Sequence, residues 1–266
     1  MTKYIIPFFY TLYTRTKGMG KKVAYLFTFI FPVLLYAVTV AYNNKSNFLL
    51  TIVTIIISLI GTMSIYEIGY IRNDVFTIKK EKNPTLRLRR EELEYVEKKI
   101  IPILIIKYGI AILSIVLTFV LGMNFINYII GLILIEVFYF IHNSVRGKLS
   151  IGSFFVLSTL RYITPLMVLH TNVVSTIIVF ILIISIPRTL EKAAEKKFNI
   201  KNLSFIRNSN LNILRAIYYI ILLAVILIQN FTIGISLVYI VSAIYYLVYR
   251  GLIAIGYLGK KSFKRA

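Results

Sequence analysis

Apolar runs recur along the chain about every twenty residues, and short polar segments separate them. An α-helix needs about 20 apolar residues to cross the hydrocarbon core of a bilayer. The pattern therefore predicts an all-α, polytopic membrane bundle of eight to nine transmembrane helices that forms a single integral membrane domain over residues 1–266. The predicted helices cover about Val23–Ala41, Phe48–Ile65 with a helical extension past Ile71, Ile100–Leu121, Asn124–Ile141, Ile151–His170, Asn172–Ile186, Leu211–Gln229 and Thr232–Leu258.

The two ends of this pattern are less regular than its middle. Residues 1–22 predict a short amphipathic segment that lies along the inner membrane surface. The last apolar run is too long for one ordinary span, so we expect a break near Arg250–Gly251 and a partial ninth helix. The sixth predicted helix should end at Pro187. A weak two-fold organisation relates residues 23–141 to residues 151–258, because each half has a helix pair followed by a long charged segment.

The distribution of charge predicts the orientation of the bundle. The chain has 31 lysines and arginines against 10 acidic residues, a net charge of +21. Nearly all the basic residues lie at the two ends or in the segments after the second, fourth and sixth predicted helices, which places the termini and every charged loop in the cytoplasm. The two long charged loops among them are residues 72–99 and 188–210. We expect a multi-pass protein of a bacterial inner membrane, whose basic loops contact anionic membrane lipid and not nucleic acid. The absence of cysteine excludes disulfides, thiolate zinc sites and cysteine nucleophiles.

The segment that follows the second predicted helix holds the densest mixture of charge and the one aspartate of the chain, Asp74. On a helix, Asp74 and Glu81 lie about 20° apart in azimuth and about 10 Å apart along the axis, on one stripe with Asn73. That separation is too long for one metal ion to bind both carboxylates directly. Carboxylates and cations mixed in this way suit a diphosphate bound through Mg²⁺ and through direct basic contacts. The alternative is a solvated loop, in which mixed charge is normal.

A second acidic cluster follows the sixth predicted helix. Glu191 and Glu195 are one turn apart on a helix and should share a face, so they can bind one hydrated Mg²⁺. The alternative is an ordinary surface helix with Glu–Lys pairs. Because the predicted topology puts both acidic segments on one side of the membrane, they can close over one diphosphate.

Arg161 stands inside an otherwise apolar predicted helix. A buried arginine is costly in a membrane and usually faces a cavity or a partner carboxylate. Glu67 and Glu136 are candidate partners, so Arg161 is either a structural ion-pair residue or a phosphate contact. His142 and His170 are isolated from each other and are interpreted as structural or surface residues.

The order of these residues resembles the UbiA superfamily of intramembrane prenyltransferases. Asn73-Asp74, Glu81 and the following Asn83-Pro84-Thr85 and Arg87 resemble the first signature of that family. Thr77 stands where the family usually has a second aspartate, and Glu81 stands where it usually has a third. Glu191 and Glu195 are placed like the second acidic signature, and Arg146-Gly147-Lys148 resembles a basic turn between the fourth and fifth helices.

The resemblance implies a Mg²⁺-dependent transferase that moves an isoprenyl group from a diphosphate donor to a membrane-associated lipid or aromatic acceptor. The implied catalytic residues are Asn73, Asp74, Glu81, Glu191 and Glu195, and the four carboxylates among them would hold Mg²⁺. The implied phosphate contacts are Lys80, Arg87, Arg146, Lys148, Arg161 and Lys192.

Two other functions remain open on the sequence alone. A divergent branch of the family transfers phosphoribosyl from phosphoribosyl pyrophosphate to a polyprenyl phosphate in cell-envelope glycan synthesis. The third possibility is a non-catalytic membrane transporter or assembly protein, which the change to Thr77 favours.

Overall fold

The computed structural model describes residues 1–80, 86–233 and 236–258, and all regular structure in this part of the chain is helical. Eight of the described helices are long and apolar enough to cross a membrane, which confirms the predicted fold class. We number them as membrane helices 1 to 8. In that order they span Met19–Asn43, Phe48–Thr77, Ile100–Val120, Phe125–Ser144, Leu149–Leu166, Val173–Ala193, Leu211–Asn230 and Leu237–Gly256.

Shorter helices lie at the polar end of the bundle. These short helices are Thr2–Ile5, Phe9–Thr14, Ile78–Lys80, Arg90–Lys98, Lys196–Phe198, Lys201–Leu203 and Ser204–Asn208.

Membrane helices 7 and 8 continue beyond their apolar parts, to Ile233 and Leu258.

Membrane helix 2 continues past Ile71 as predicted, but its last part is not a regular α-helix. Residues Asn73–Thr77 form a π-helical turn, followed by a 3₁₀ turn at Ile78–Lys80. The wider π turn changes the direction of the side chains relative to an α-helix. The part of the predicted α-helical stripe that holds Asn73 and Asp74 is therefore not α-helical, and Glu81 lies outside the described residues.

Three predicted helix ends are wrong. Membrane helix 6 passes through Pro187 to Ala193, because a π-helical turn at Ile181–Ser185 precedes the proline and accommodates its missing N–H. Membrane helix 5 ends early, in a 3₁₀ turn at Thr164–Leu166. The predicted break near Arg250–Gly251 is absent, since one α-helix runs from Leu237 to Leu258.

Membrane helices 2 and 5 lie in the middle of the bundle. In their apolar parts, 56% and 61% of the residues are buried inside the bundle, against 17% for helix 7. Glycine allows close packing around helix 2: a Cβ on Gly69 would lie 2.2 Å from the ring of Tyr139 on helix 4. Gly61 is equally close to Ser114 and Tyr128. Small residues at helix contacts are typical of membrane bundles.

Ion pairs neutralise most of the charges inside the bundle. Lys107 donates a hydrogen bond to Glu67 over 2.8 Å, and both side chains are fully buried. Arg72 donates to Glu136 over 2.7 Å. Because an unpaired charge in a membrane is costly, these pairs explain how four ionisable groups are tolerated. They also mean that neither carboxylate is the partner of Arg161.

Residues 1–18, which we call the N-terminal segment, pack into the bundle and do not merely lie along its surface. Tyr4, Tyr10 and Thr11 are almost fully buried. The two tyrosines belong to a small apolar core with Ile71 and Val96, at the end of membrane helix 2. The backbone N–H of Thr11 donates to Glu67 over 2.7 Å. This segment is therefore a structural part of the polar end of the bundle.

Candidate functional site

A cavity of about 310 Å³ lies at the polar end of the bundle, and we call it the basic cavity. Four basic side chains line it together with His142 and two asparagines, and none of the carboxylates among the described residues does so. Its lining residues are Arg15, Tyr66, Tyr70, Asn73, Ile78, Arg87, Tyr139, His142, Asn143, Phe154, Leu157, Lys192 and Lys197. The cavity therefore brings together the segments after membrane helices 2 and 6, as the predicted topology requires.

Asp74 lies beneath this cavity and not on its surface, and its carboxylate accepts four hydrogen bonds. Arg15 donates two of them, over 2.8 and 2.9 Å, and the Tyr10 hydroxyl donates a third over 2.7 Å. The side-chain amide of Asn73 donates the fourth, over 3.3 Å. A guanidinium nitrogen of Arg87 lies 3.7 Å away. The Asp74 side chain is 2% exposed, so its charge is compensated entirely within the protein. Arg15 is thus the group that Asp74 binds in this structure.

Arg87 is the least compensated of the cations that surround Asp74. Burial and the nearby charge of Arg15 lower the pKa of Arg87, which outweighs the attraction of Asp74. Within the described residues, the only carboxylate near Arg87 is that of Asp74, at 3.7 Å. That carboxylate is already paired with Arg15. An anion in the cavity would therefore be stabilised by Arg87 more than by Arg15.

Three tyrosines form one wall of the basic cavity. The rings of Tyr66, Tyr70 and Tyr139 meet edge to face, with centroids 4.8 to 5.9 Å apart. The guanidinium of Arg15 lies 4.3 Å from the centre of the Tyr70 ring. Aromatic faces of this kind stabilise a cation without accepting a proton from it.

Arg161 lies behind the tyrosine wall, within the core. Its side chain contacts the rings of Tyr25, Phe29 and Tyr66 at 4.4 to 5.1 Å from their centres. Its Nε and Nη2 atoms are buried without a hydrogen-bond partner, and within the described residues no carboxylate forms a salt bridge with it. Buried guanidinium donors are normally satisfied, so this side chain has unused capacity for an anion.

Glu195 does not share a helical face with Glu191, and that prediction is wrong. Membrane helix 6 ends at Ala193, and Glu195 adopts an extended backbone before the next turn. Lys192 and Lys197 each reach a Glu195 oxygen over 3.0 Å. Burial would raise the pKa of Glu195, but hydrogen bonds from these two lysines lower it. The carboxylate thus holds the two lysines together at the edge of the basic cavity.

Glu191 belongs to a different cavity. Arg215 on membrane helix 7 binds it through two hydrogen bonds of 2.5 Å. This second cavity, of about 280 Å³, lies between membrane helices 1, 5, 6, 7 and 8. Its lining residues are Ala24, Thr28, Tyr162, Ile184, Pro187, Arg188, Glu191, Arg215, Tyr219, Tyr246 and Arg250. Glu191 and Glu195 therefore lie at the same end of the bundle but border separate cavities, and only Glu195 lies at the edge of the basic cavity.

Other predicted site residues lie apart from the basic cavity or outside the residues that the structure describes. Arg146 is exposed and donates to the backbone carbonyls of Asn143 and Val145. Lys148 is exposed and does not line either cavity. The predicted contacts of Lys80 and Glu81 lie outside the described side chains.

Three of the four carboxylates assigned to Mg²⁺ are described, and these three do not fit a magnesium site as the structure arranges them. Asp74, Glu191 and Glu195 each bind one or two cationic side chains. Within the part of the chain that the structure describes, no group of three or more acidic or histidine side chains could hold a metal ion. A metal at Asp74 would first have to displace Arg15.

Several residues of the basic cavity were not identified from the sequence. Arg15 stands 59 positions before Asp74, and the cavity also takes Tyr139, His142 and Asn143 from the end of membrane helix 4. For the three residues of membrane helix 4, the signal in the sequence is the polar end of that helix, which faces the charged loops.

No family model, no curated protein and no solved structure matches this chain. The fold and the site therefore define its class by themselves. It is a polytopic helical membrane protein with an arginine- and lysine-lined cavity at one end of the bundle.

Proposed function

We propose that this protein is an intramembrane transferase of the UbiA type, which binds the diphosphate of an isoprenyl donor in the basic cavity. One observation carries the proposal: Arg15, Arg87, Lys192 and Lys197 converge on one cavity beside a wall of tyrosines. Cations placed in this way suit a polyanionic head group, and the apolar membrane helices suit its hydrocarbon tail.

The proposed reaction is a substitution at the carbon that carries the diphosphate. The acceptor supplies the electron pair of the new bond and loses a proton, while the electrons of the broken C–O bond leave with the diphosphate. Basic side chains stabilise the leaving group, because its negative charge grows as the bond breaks. The faces of Tyr66, Tyr70 and Tyr139 stabilise the positive charge that develops on carbon.

In this proposal Mg²⁺ is bound by the diphosphate and not by the carboxylates of the protein. The sequence assigned it to carboxylates that the structure pairs with arginine and lysine, so we derive no step through a protein-bound ion. Mg²⁺ binds phosphate oxygens and keeps several waters, so it would reach the cavity on the diphosphate itself. The charge left for the protein to neutralise falls to Arg87 and the two lysines.

The donor has two candidate identities. An isoprenyl diphosphate and phosphoribosyl pyrophosphate carry the same leaving group, and the basic cavity is suited to that shared part. With the second donor, the acceptor would be a polyprenyl phosphate. Both donors therefore belong in the same experiment.

A non-catalytic function is the second candidate, and the pairing of Asp74 favours it. A carboxylate that is held by Arg15 and Tyr10 is not free to bind a metal ion or a reacting group. In that case the basic cavity would bind or carry a phosphorylated molecule without breaking a bond.

The test is pyrophosphate release by the purified protein in detergent, with farnesyl diphosphate or phosphoribosyl pyrophosphate, a lipid acceptor extract, and with or without Mg²⁺. We expect release with one donor, and a loss of at least about tenfold in Arg87→Gln and Lys192→Gln, since each removes a charge-assisted contact to the leaving group. Asp74→Asn should also reduce release, because it frees Arg15 from its position. The matched control is Arg207→Gln, an exposed residue outside both cavities.

Calorimetric titration of the same two donors separates the two functions. Binding that Arg87→Gln weakens, without any pyrophosphate release, supports the non-catalytic function. If neither donor binds and neither releases pyrophosphate, both proposed functions are contradicted.

A further inference from the structure

The described walls of the second cavity carry more positive than negative charge. Three arginines and one glutamate line it. Arg215 is committed to Glu191 by two short hydrogen bonds, so these two charges cancel. Arg188 and Arg250 have no carboxylate within salt-bridge distance in the described part of the chain.

The remaining guanidinium groups have hydrogen-bonding capacity to spare. Nε of Arg250 is buried and has no hydrogen-bond partner. Arg188 donates one long hydrogen bond, of 3.2 Å, to the hydroxyl of Tyr162. Two cations that share a cavity inside a membrane protein without an anion are costly, because burial disfavours charge and the two repel each other.

The tyrosine hydroxyls around these arginines carry no negative charge, so they cannot neutralise them, and each hydroxyl already donates its proton to a backbone carbonyl. The hydroxyls of Tyr162 and Tyr246 both donate to the backbone carbonyl of Thr28. The hydroxyl of Tyr219 donates to the carbonyl of Ile183. These bonds fix the three rings as the walls of the cavity. The rings of Tyr219 and Tyr246 stack with centroids 5.3 Å apart, which keeps the space open.

We propose that the second cavity is a phosphate-binding site, in which Arg188 and Arg250 hold the dianion of a phosphate monoester. Two uncompensated positive charges match the two negative charges of that group, whereas a carboxylate would neutralise only half of them. A cavity of about 280 Å³ accommodates a phosphate and the first atoms of the group that carries it. Ala24, Ile184 and Pro187 provide an apolar surface for those atoms.

This site is separate from the basic cavity and does not depend on the proposed transferase. Tyr66 lines the basic cavity, Tyr162 lines the second cavity, and the buried Arg161 lies between them in the core. A protein that failed to release pyrophosphate could still bind phosphate here. The phosphate can belong to a lipid head group or be free in solution, since the chemistry that binds it is the same.

The test is binding of three probes to the full-length protein in detergent: dihexanoyl phosphatidic acid, dihexanoyl phosphatidylcholine and inorganic phosphate, each followed by native mass spectrometry and calorimetry. We expect phosphatidic acid or inorganic phosphate to bind to Lys192→Gln as tightly as to the unmodified protein, since this variant removes a positive charge from the basic cavity only. Arg188→Gln and Arg250→Gln should each weaken this binding about tenfold or more, because each removes a charge-assisted contact.

Two further variants keep the result interpretable. Ala24→Phe fills the cavity without changing any charge and should abolish the binding even if Arg188→Gln fails to fold. Arg250→Lys retains the charge and should bind better than Arg250→Gln. Arg207→Gln, on the exposed helix Ser204–Asn208, is the control that should bind as the unmodified protein does.

The probes also distinguish the sources of the phosphate. Binding of phosphatidic acid but not of inorganic phosphate identifies a lipid head group, and equal binding of both identifies free phosphate. The proposal is overturned if phosphatidylcholine binds as well as phosphatidic acid, or if neither phosphatidic acid nor inorganic phosphate binds. It is also overturned if Arg188→Gln, Arg250→Gln and Ala24→Phe all bind like the control.

Discussion

Arg15 binds Asp74 through two parallel hydrogen bonds, of 2.8 and 2.9 Å, and so ties the N-terminal segment to the end of membrane helix 2. A two-point guanidinium–carboxylate contact fixes both position and orientation. Asp74, which the sequence analysis assigned to a metal ion, therefore holds the N-terminal segment in place. Arg15 in turn forms part of the wall of the basic cavity.

Removing either partner of this pair should destabilise the protein. Arg15→Gln leaves the buried Asp74 charge to the neutral donors Tyr10 and Asn73 and to a distant Arg87, at a cost of about 3 kcal/mol. Asp74→Asn leaves Arg15 buried without its carboxylate and should have a similar effect. The measurement is the thermal midpoint of the detergent-solubilised protein, followed by size-exclusion chromatography.

The double variant shows whether the two residues act through each other. Arg15→Gln with Asp74→Asn removes both charges and should recover most of the loss, since no uncompensated charge remains. Arg146→Gln, at an exposed arginine that binds only backbone carbonyls, should leave the midpoint unchanged. Strictly additive losses in the double variant would show that the pair is not coupled.

The fully buried pair of Lys107 and Glu67 should behave in the same way but more strongly. Lys107→Met leaves a carboxylate with no exposure and only the backbone N–H of Thr11 as a donor. We expect the single variant to lose about 3–5 kcal/mol or to fail to fold, and the double variant Lys107→Met with Glu67→Gln to be purified in good yield. The yield of monodisperse protein after extraction measures both. Equal yields from the single and double variants would contradict this.

The contact of Glu92 with the N-terminal segment should depend on pH. Burial would raise the pKa of Glu92, but hydrogen bonds from Lys3, Tyr13 and the backbone N–H of Arg89 lower it to about 2. A carboxyl whose pKa is lowered by folding stabilises the protein fully above its ordinary value of 4.5, and the stabilisation is lost as the pH falls from there toward about 2.

Hydrogen exchange of residues 1–18 between pH 6 and pH 3 measures this effect, once the rates are corrected for the intrinsic dependence of exchange on pH. We expect faster exchange at the lower pH, and a smaller effect at high salt, because the Lys3 side chain is 37% exposed. In Glu92→Gln the exchange should be fast at both values. A variant that keeps the full pH dependence would show that another group titrates.

Gly69 should be essential to the shape of the basic cavity. In Gly69→Ala the new Cβ would lie 2.2 to 2.4 Å from three ring atoms of Tyr139, so the ring or the helix must move. We expect a lower thermal midpoint and weaker binding of the diphosphate donor. Gly109→Ala on membrane helix 3 is the matched control, since nothing lies within 4 Å of its Cβ, and it should keep or slightly raise the midpoint. Equal midpoints for the two variants would contradict the close packing.

The sequence by itself determined the class of fold and the grouping of the charged segments. Long apolar runs have one stable solution in a bilayer, because only a helix satisfies its backbone hydrogen bonds internally, and eight such helices are present in the described chain. The same pattern placed the segments after membrane helices 2 and 6 at one end, where Arg87 and Lys197 line one cavity. The pseudo-repeat and the cytoplasmic orientation stay predictions.

Tertiary structure alone decided the partners of each charge. Asp74, Glu191 and Glu195 read as metal ligands because their spacing was measured along an ideal α-helix, whereas a π turn at Asn73–Thr77 and a helix end at Ala193 change that spacing. Their actual partners include Arg15 and Arg215, which lie 59 and 24 positions away in the chain. A buried charge binds the nearest opposite charge in space, and distance in space is set by how the helices pack and not by their order.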